Sequence, residues 1–194
     1  MMLKIKEGEP WVMWPNNLVD NFIEFPANKI FDYDGNFDFK VVFEFETPIT
    51  KKCSLFSKLP DYVGIDLEEY GFTFIYTDDK KHSEYVYTDF KFEINTKYEF
   101  HIKKRENIIS VYLNNILVLN EFLKHKLASD NISHIIFGAG NFPKNNFNLN
   151  YFSVILHSVE ITKEKELISK HDFNLFIHNK SFDLTNNCNF IYKI

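Results

Sequence analysis

Ile108-Ile109-Ser110-Val111-Tyr112-Leu113-Asn114-Asn115-Ile116-Leu117-Val118-Leu119-Asn120 is two runs of β-prone residues separated by an Asn-Asn pair. Ile, Val and Tyr suit a pleated, half-buried surface. Asn tolerates positive φ, which a two-residue type I′ hairpin needs at both central positions. The stretch therefore predicts two antiparallel strands that reverse tightly at Asn114-Asn115.

The same period of two recurs on either side. Over 38–46, Phe39, Val41, Phe43 and Phe45 point one way and Lys40, Glu44 and Glu46 the other, with Val42 the exception. Tyr98, Phe100 and Ile102 oppose Lys97, Glu99, His101 and Lys103 in the same manner. Further strands are expected at 18–25, 53–58, 63–67, 71–76, 84–90, 134–138 and 147–161, the last long enough to bend. Turn-prone Asp34-Gly35-Asn36, Asp78-Asp79-Lys80-Lys81 and Arg105-Glu106-Asn107 separate strands. Two stretches read as short helices, 121–128 and 162–170. Short strands joined mostly by hairpins imply an all-β, antiparallel two-sheet sandwich. A chain of 194 residues, 45% hydrophobic and 18% aromatic with 22 Phe, can bury one large core, so 1–194 is read as a single domain.

The order of these pieces resembles the laminin-G-like jelly rolls of the concanavalin A-like lectin and glucanase superfamily. Asn36 to Phe45 is similar to the strand that opens such domains, and Ser54-Leu55-Phe56-Ser57-Lys58 to the next. Lys97 to Ile102, the hairpin 109–118, Ile135 to Gly140 and Phe152 to Ile161 follow in the same order, with Asn115 where the hairpin usually has Gly. The resemblance covers about 37–168 and implies a core there, with the terminal segments adding edge strands. It implies ligands on a sheet face or at a loop rim. Lectins, adhesins, hydrolases and inert spacers share this fold, so it does not decide function.

Composition narrows the partners. Net charge is −5, and Arg105 is the sole arginine, where nucleic-acid readers depend on arginine for bidentate contacts. Nucleic acid is not expected as a partner. Lys103-Lys104-Arg105 is read as capping a hairpin tip. No apolar run of 18 residues occurs, so no membrane insertion is expected. The N-terminus has no apolar leader, so the expectation is a cytoplasmic or virion-associated chain, or an extracellular one if excised from a longer protein. Cys53 and Cys188 do not indicate a disulfide framework.

Candidate chemistry is sparse. Asp32, Asp34, Asn36 and Asp38 place oxygens at alternate positions, as calcium requires, but the twelfth position of an EF-hand loop is Phe43 rather than Glu. Either calcium, the one candidate cofactor, or a simple turn fits. Paired carboxylates for glycoside hydrolysis are weakly represented. Glu44 and Glu46 share a strand face, and Asp66-Leu67-Glu68-Glu69 has charge without the glucanase spacing. His101 near Tyr85 or Tyr87 would suit a polysaccharide lyase, but the chain has no Gln and Arg105 falls in a turn. His101 is expected on an exposed face and His157 as a hydrogen-bonded interior residue. Trp11 and Trp14 could stack on sugar rings, and the loop with Asn141 and Asn145 offers amides for hydroxyl-rich ligands.

The leading expectation is a non-catalytic, carbohydrate-binding or adhesive module, accessory to a glycan-handling protein or tail fibre. Its candidate contacts are Tyr85, Tyr87, His101, Glu44, Asn141 and Asn145. Two alternatives remain open: a structural or oligomerisation domain with a protein partner, and a divergent glycan-active enzyme using Glu44, Glu46 and His101.

Overall fold

The structure, a computed structural model, describes residues 3–5, 22–25, 35–50, 52–58, 63–128, 135–137, 154–173, 180–181 and 190–193. Trp11, Trp14, Asp32, Asp34, Asn141, Asn145 and Cys188 lie outside the described residues. The strands are β1 (Leu3–Ile5), β2 (Phe22–Phe25), β3 (Phe37–Phe45), β4 (Cys53–Lys58), β5 (Val63–Glu68), β6 (Gly71–Thr77), β7 (Ser83–Asp89), β8 (Tyr98–Arg105), β9 (Ile108–Leu113), β10 (Ile116–Phe122), β11 (Ile135–Phe137), β12 (Val154–Lys163), β13 (Glu166–Asp172), β14 (Lys180–Ser181) and β15 (Phe190–Lys193).

They pair into two antiparallel sheets. The seven-stranded sheet runs β1-β12-β3-β8-β9-β10, with β13 also on β12; the eight-stranded sheet runs β14-β15-β2-β11-β4-β5-β6-β7. Strands from both chain ends thus extend the sheets. The long strand β12 pairs β1 through residues 154–156 and β13 through 158–163, and its register on β3 slips at His157.

Alternation decides the core. Every second residue of β3, from Phe37 to Phe45, is buried and those between are half-buried. Phe100 and Ile102 on β8 and Phe72 and Phe74 on β6 are fully buried in the same cluster. Rings interlock across the two sheets: Phe39 lies 4.6 Å from Phe56 and Phe72 stands edge-on to Phe100 at 4.9 Å. Each such fully buried phenylalanine contributes about 2–3 kcal/mol of transfer free energy. The predicted β-sandwich is what forms.

Both expected helices are absent. Residues 162–170 form the β12–β13 hairpin, with Glu164 and Lys165 at φ of 48° and 72°, the two-residue type I′ pattern. The charged run reads locally as helix, yet Glu164 is held by a distant partner, its N–H donating to Asn36 O at 3.0 Å. Residues 121–122 finish β10, and the chain from Leu123 to Ala128 then crosses to the other sheet. There Asp79 N–H donates to Lys126 O and Ala128 N–H to Thr77 O, both at 2.8 Å. The Asn114-Asn115 turn takes the predicted form, with φ of 49° and 66°. Among the described residues no helix is long and apolar enough to cross a membrane.

Candidate functional site

The outer face of the eight-stranded sheet carries the polar and aromatic side chains most suited to a ligand. Phe72, Phe74 and Tyr76 of β6 face the core, so Gly71, Thr73, Ile75 and Thr77 face away. Antiparallel register then sets three transverse rows on that outer face: Glu68, Gly71 and Asp89; Ser54, Asp66, Thr73 and Tyr87; Ser57, Gly64, Ile75 and Tyr85. Strand β7 is the edge, which leaves its tyrosines open: Tyr85 is 61% and Tyr87 48% exposed.

Gly71 makes room for this arrangement. A Cβ there would lie 2.2 Å from Thr88 O and 2.8 Å from Tyr87 Oη, so the Tyr87 phenol lies across the bare backbone of Gly71. Burial against its neighbours, with the Asp89 and Glu68 carboxylates, holds the Tyr87 phenol above its usual value.

Towards the sheet centre the face becomes buried and charged. Asp66 is 5% exposed, and burial pushes its carboxyl up despite Lys52, whose Nζ stands 3.4 Å from Asp66 Oδ2 and 3.3 Å from Glu68 Oε1. Thr73 Oγ1 donates to Glu68 Oε1 at 2.7 Å. Ser54 sits beside Asp66, near enough to favour its charged form, but completes no aligned hydrogen bond. The buried Ser57 hydroxyl is likewise unpartnered. Buried hydroxyls without partners cost free energy unless something satisfies them. The row pattern of Asp66, Glu68, Ser54 and Thr73 is visible as polar residues interrupting apolar strands. Its significance was obscured because the acidic run lacks a hydrolase spacing.

His101 and Glu44 lie on the other side of the molecule. Phe100 and Ile102 enter the core, so His101 faces outward from the seven-stranded sheet, opposite Lys40 and Tyr112. Tyr85 and Tyr87 point away from the opposite sheet, and the core separates them from His101. The expected partnership of His101 with these tyrosines therefore does not form. Glu44 shares His101's face but stands four residues along β3 from Lys40, about 13 Å at the usual strand rise. It meets His157 instead, whose Nε2 lies 3.1 Å from Glu44 Oε2 without the alignment of a hydrogen bond. His157 is interior as expected, but the expected hydrogen bond at that nitrogen is not made.

His101 is buried rather than exposed. Its Nε2 lies 2.8 Å from Asp38 Oδ1, while the Arg105 guanidinium takes Asp38 Oδ2 and donates to Phe37 O at 2.9 Å. Arg105 ends β8 and so reaches back across the sheet to β3. Burial alone would raise the Asp38 carboxyl, but hydrogen bonds from Arg105 and His101 bring it below its ordinary value. Burial lowers the His101 pKa, helped by Lys103 and Lys40 and resisted by Asp38. With both Asp38 oxygens engaged, the cluster ties β3 to β8 and presents no activated nucleophile.

The two described members of the calcium set are similarly engaged. Asn36 Oδ1 accepts the Glu106 N–H at 2.7 Å and Asn36 Nδ2 donates to Glu164 at 3.3 Å. Among the described residues no group of three or more His, Cys, Asp or Glu is placed to hold a metal.

No family model and no curated protein matches the sequence. Solved structures do match the fold. The receptor-binding domain of botulinum neurotoxin D superposes with a TM-score of 0.57 at 12% identity, over 86% of this chain and 40% of that one. The serotype G binding domain gives 0.58 at 14% identity, over 82% and 38%. A serotype D ligand-binding domain in complex with N-acetylneuraminic acid gives 0.55 at 11%, over 77% and 37%. This chain spans about two-fifths of each of these structures, and what it shares with them is the β-rich fold.

Proposed function

We propose that this protein is a non-catalytic glycan-binding module, built on a laminin-G-like sandwich, whose ligand meets the outer face of the eight-stranded sheet. The observation that carries the reading is the pair Tyr85 and Tyr87, open on an edge strand beside Asp66, Glu68, Thr73 and two unpartnered serine hydroxyls. An aromatic ring offers an apolar face to the C–H side of a sugar, and the carboxylates and hydroxyls match its hydroxyl groups. The structural neighbours support the reading, since they are receptor-binding domains and one holds N-acetylneuraminic acid. Screening the chain on a glycan array, then calorimetry with Tyr85→Ala, tests it. Binding is expected to weaken about tenfold, equivalent to about 1.4 kcal/mol. Unchanged affinity in that variant, or no glycan bound at millimolar concentration, overturns it.

A second reading, a protein-interaction domain, is favoured by one feature. On the other sheet, Phe122 of the edge strand β10 is paired with Ile108 of its neighbour β9 and both are exposed, with Leu117 exposed further along β10. A stable oligomer in light scattering, broken by Phe122→Ser, would establish it.

A further inference from the structure

One end of the sandwich holds a pocket that neither sheet face uses. Three connections meet there: residues 46–50 after β3, Glu69-Tyr70 between β5 and β6, and residues 90–97 between β7 and β8. They enclose about 690 Å³. The floor is apolar, with Phe45 and Phe92 packed edge-on at 5.6 Å. The lining also includes Glu69, Lys91 and Glu93, and the ring of Tyr70, which is 66% exposed.

The walls are fixed by the backbone. Phe90 N–H donates to Tyr70 O at 3.0 Å, Asn95 N–H to Phe45 O at 2.7 Å, and Glu93 N–H to Tyr98 Oη at 2.7 Å. These bonds tie the β7–β8 connection to Tyr70, to the end of β3 and to the start of β8, so that wall loses little ordering entropy when a ligand enters. An apolar floor with a few polar groups around it, in a volume of this order, is the usual form of a small-molecule site.

We propose that this end pocket is a second binding site, distinct from the sheet face, and that it takes a neutral pyranose unit. An apolar ligand would strip water from Glu69, Lys91 and Glu93 without replacing their hydrogen bonds. An anionic one would meet two carboxylates against a single ammonium. A neutral sugar avoids both costs: its C–H face packs on Tyr70 and Phe92 and its hydroxyls bond the charged groups.

The test is a two-dimensional NMR titration of the whole chain with methyl glucoside, methyl galactoside and N-acetylneuraminic acid, repeated with Tyr70→Ala and Tyr85→Ala. Tyr70 is exposed and outside the core cluster, so its truncation leaves the fold intact. The expected result is that a neutral glycoside shifts the amides of Tyr70, Phe92 and Ile94, about tenfold more weakly in Tyr70→Ala and unchanged in Tyr85→Ala. No shift at these amides with either neutral glycoside overturns the site. Equal or tighter binding of N-acetylneuraminic acid there overturns the ligand class. Shifts lost only in Tyr85→Ala also overturn the site while leaving the sheet-face reading intact.

Discussion

The Glu164 carboxylate accepts both the backbone N–H of Asn36, at 2.6 Å, and its side-chain amide, at 3.3 Å, across 128 residues of chain. Asn36 also accepts the Glu106 N–H, so one side chain at the head of β3 joins two hairpin tips. Both tips contain a non-glycine residue at positive φ, Glu106 and Glu164, a backbone state that needs outside support.

Replacing that clamp should loosen both tips together. Asn36→Ala is expected to cost about 1–2 kcal/mol in denaturant unfolding, the range for lost hydrogen bonds that include a charged acceptor. Amide exchange should quicken at both the Glu106 and Glu164 turns. Faster exchange at one turn alone would show that Asn36 does not couple them.

Asp38 and His101 make stability fall as acid is added. His101 has a folded pKa below its unfolded one, so the unfolded chain takes up that proton first as pH drops below about 6.5. Asp38, also depressed, contributes stability present above its unfolded value near 4 and lost as pH falls through its folded pKa. The unfolding midpoint should therefore decline in two windows, and His101→Gln should remove the upper one. A midpoint flat between pH 7 and 5 would contradict this.

Asp66 works in the opposite sense. Its folded pKa is raised, so the ionised form costs stability at neutral pH, and that cost is relieved as pH falls through the folded value. Asp66→Asn is expected to raise the melting temperature at pH 7 and to weaken glycan binding at the sheet face. A variant that melts lower at pH 7 would mean that Lys52 outweighs the burial cost.

Gly71→Ala should be costly although the residue lies at a strand end. The added methyl would collide with Thr88 O and displace the Tyr87 phenol. A loss of about 1–3 kcal/mol is expected, the usual range for overpacking. The changed Tyr87 environment should alter near-ultraviolet circular dichroism; an unchanged spectrum would argue against the contact.

Strand identity was legible because it rests on local alternation: Phe39, Val41, Phe43 and Phe45 face inward whatever their neighbours are. The reversal at Asn114-Asn115 was legible because asparagine accepts positive φ. The hairpin at Glu164-Lys165 was not. Those residues favour helix locally, and the pairing of β12 with β13 and β3, with Asn36 gripping Glu164 from far away in sequence, holds them otherwise.

The sequence by itself determined that two sheets would each turn an apolar face inward, since side-chain direction alternates along every strand. Only the tertiary structure decided which strands share a sheet, because pairing partners come from distant parts of the chain. That is why Tyr85 and His101, expected as neighbours, stand on opposite sides of the core. It is also why Asp66, set aside in the sequence for lacking a hydrolase spacing, sits buried between Ser54 and Thr73 in the face best suited to a ligand.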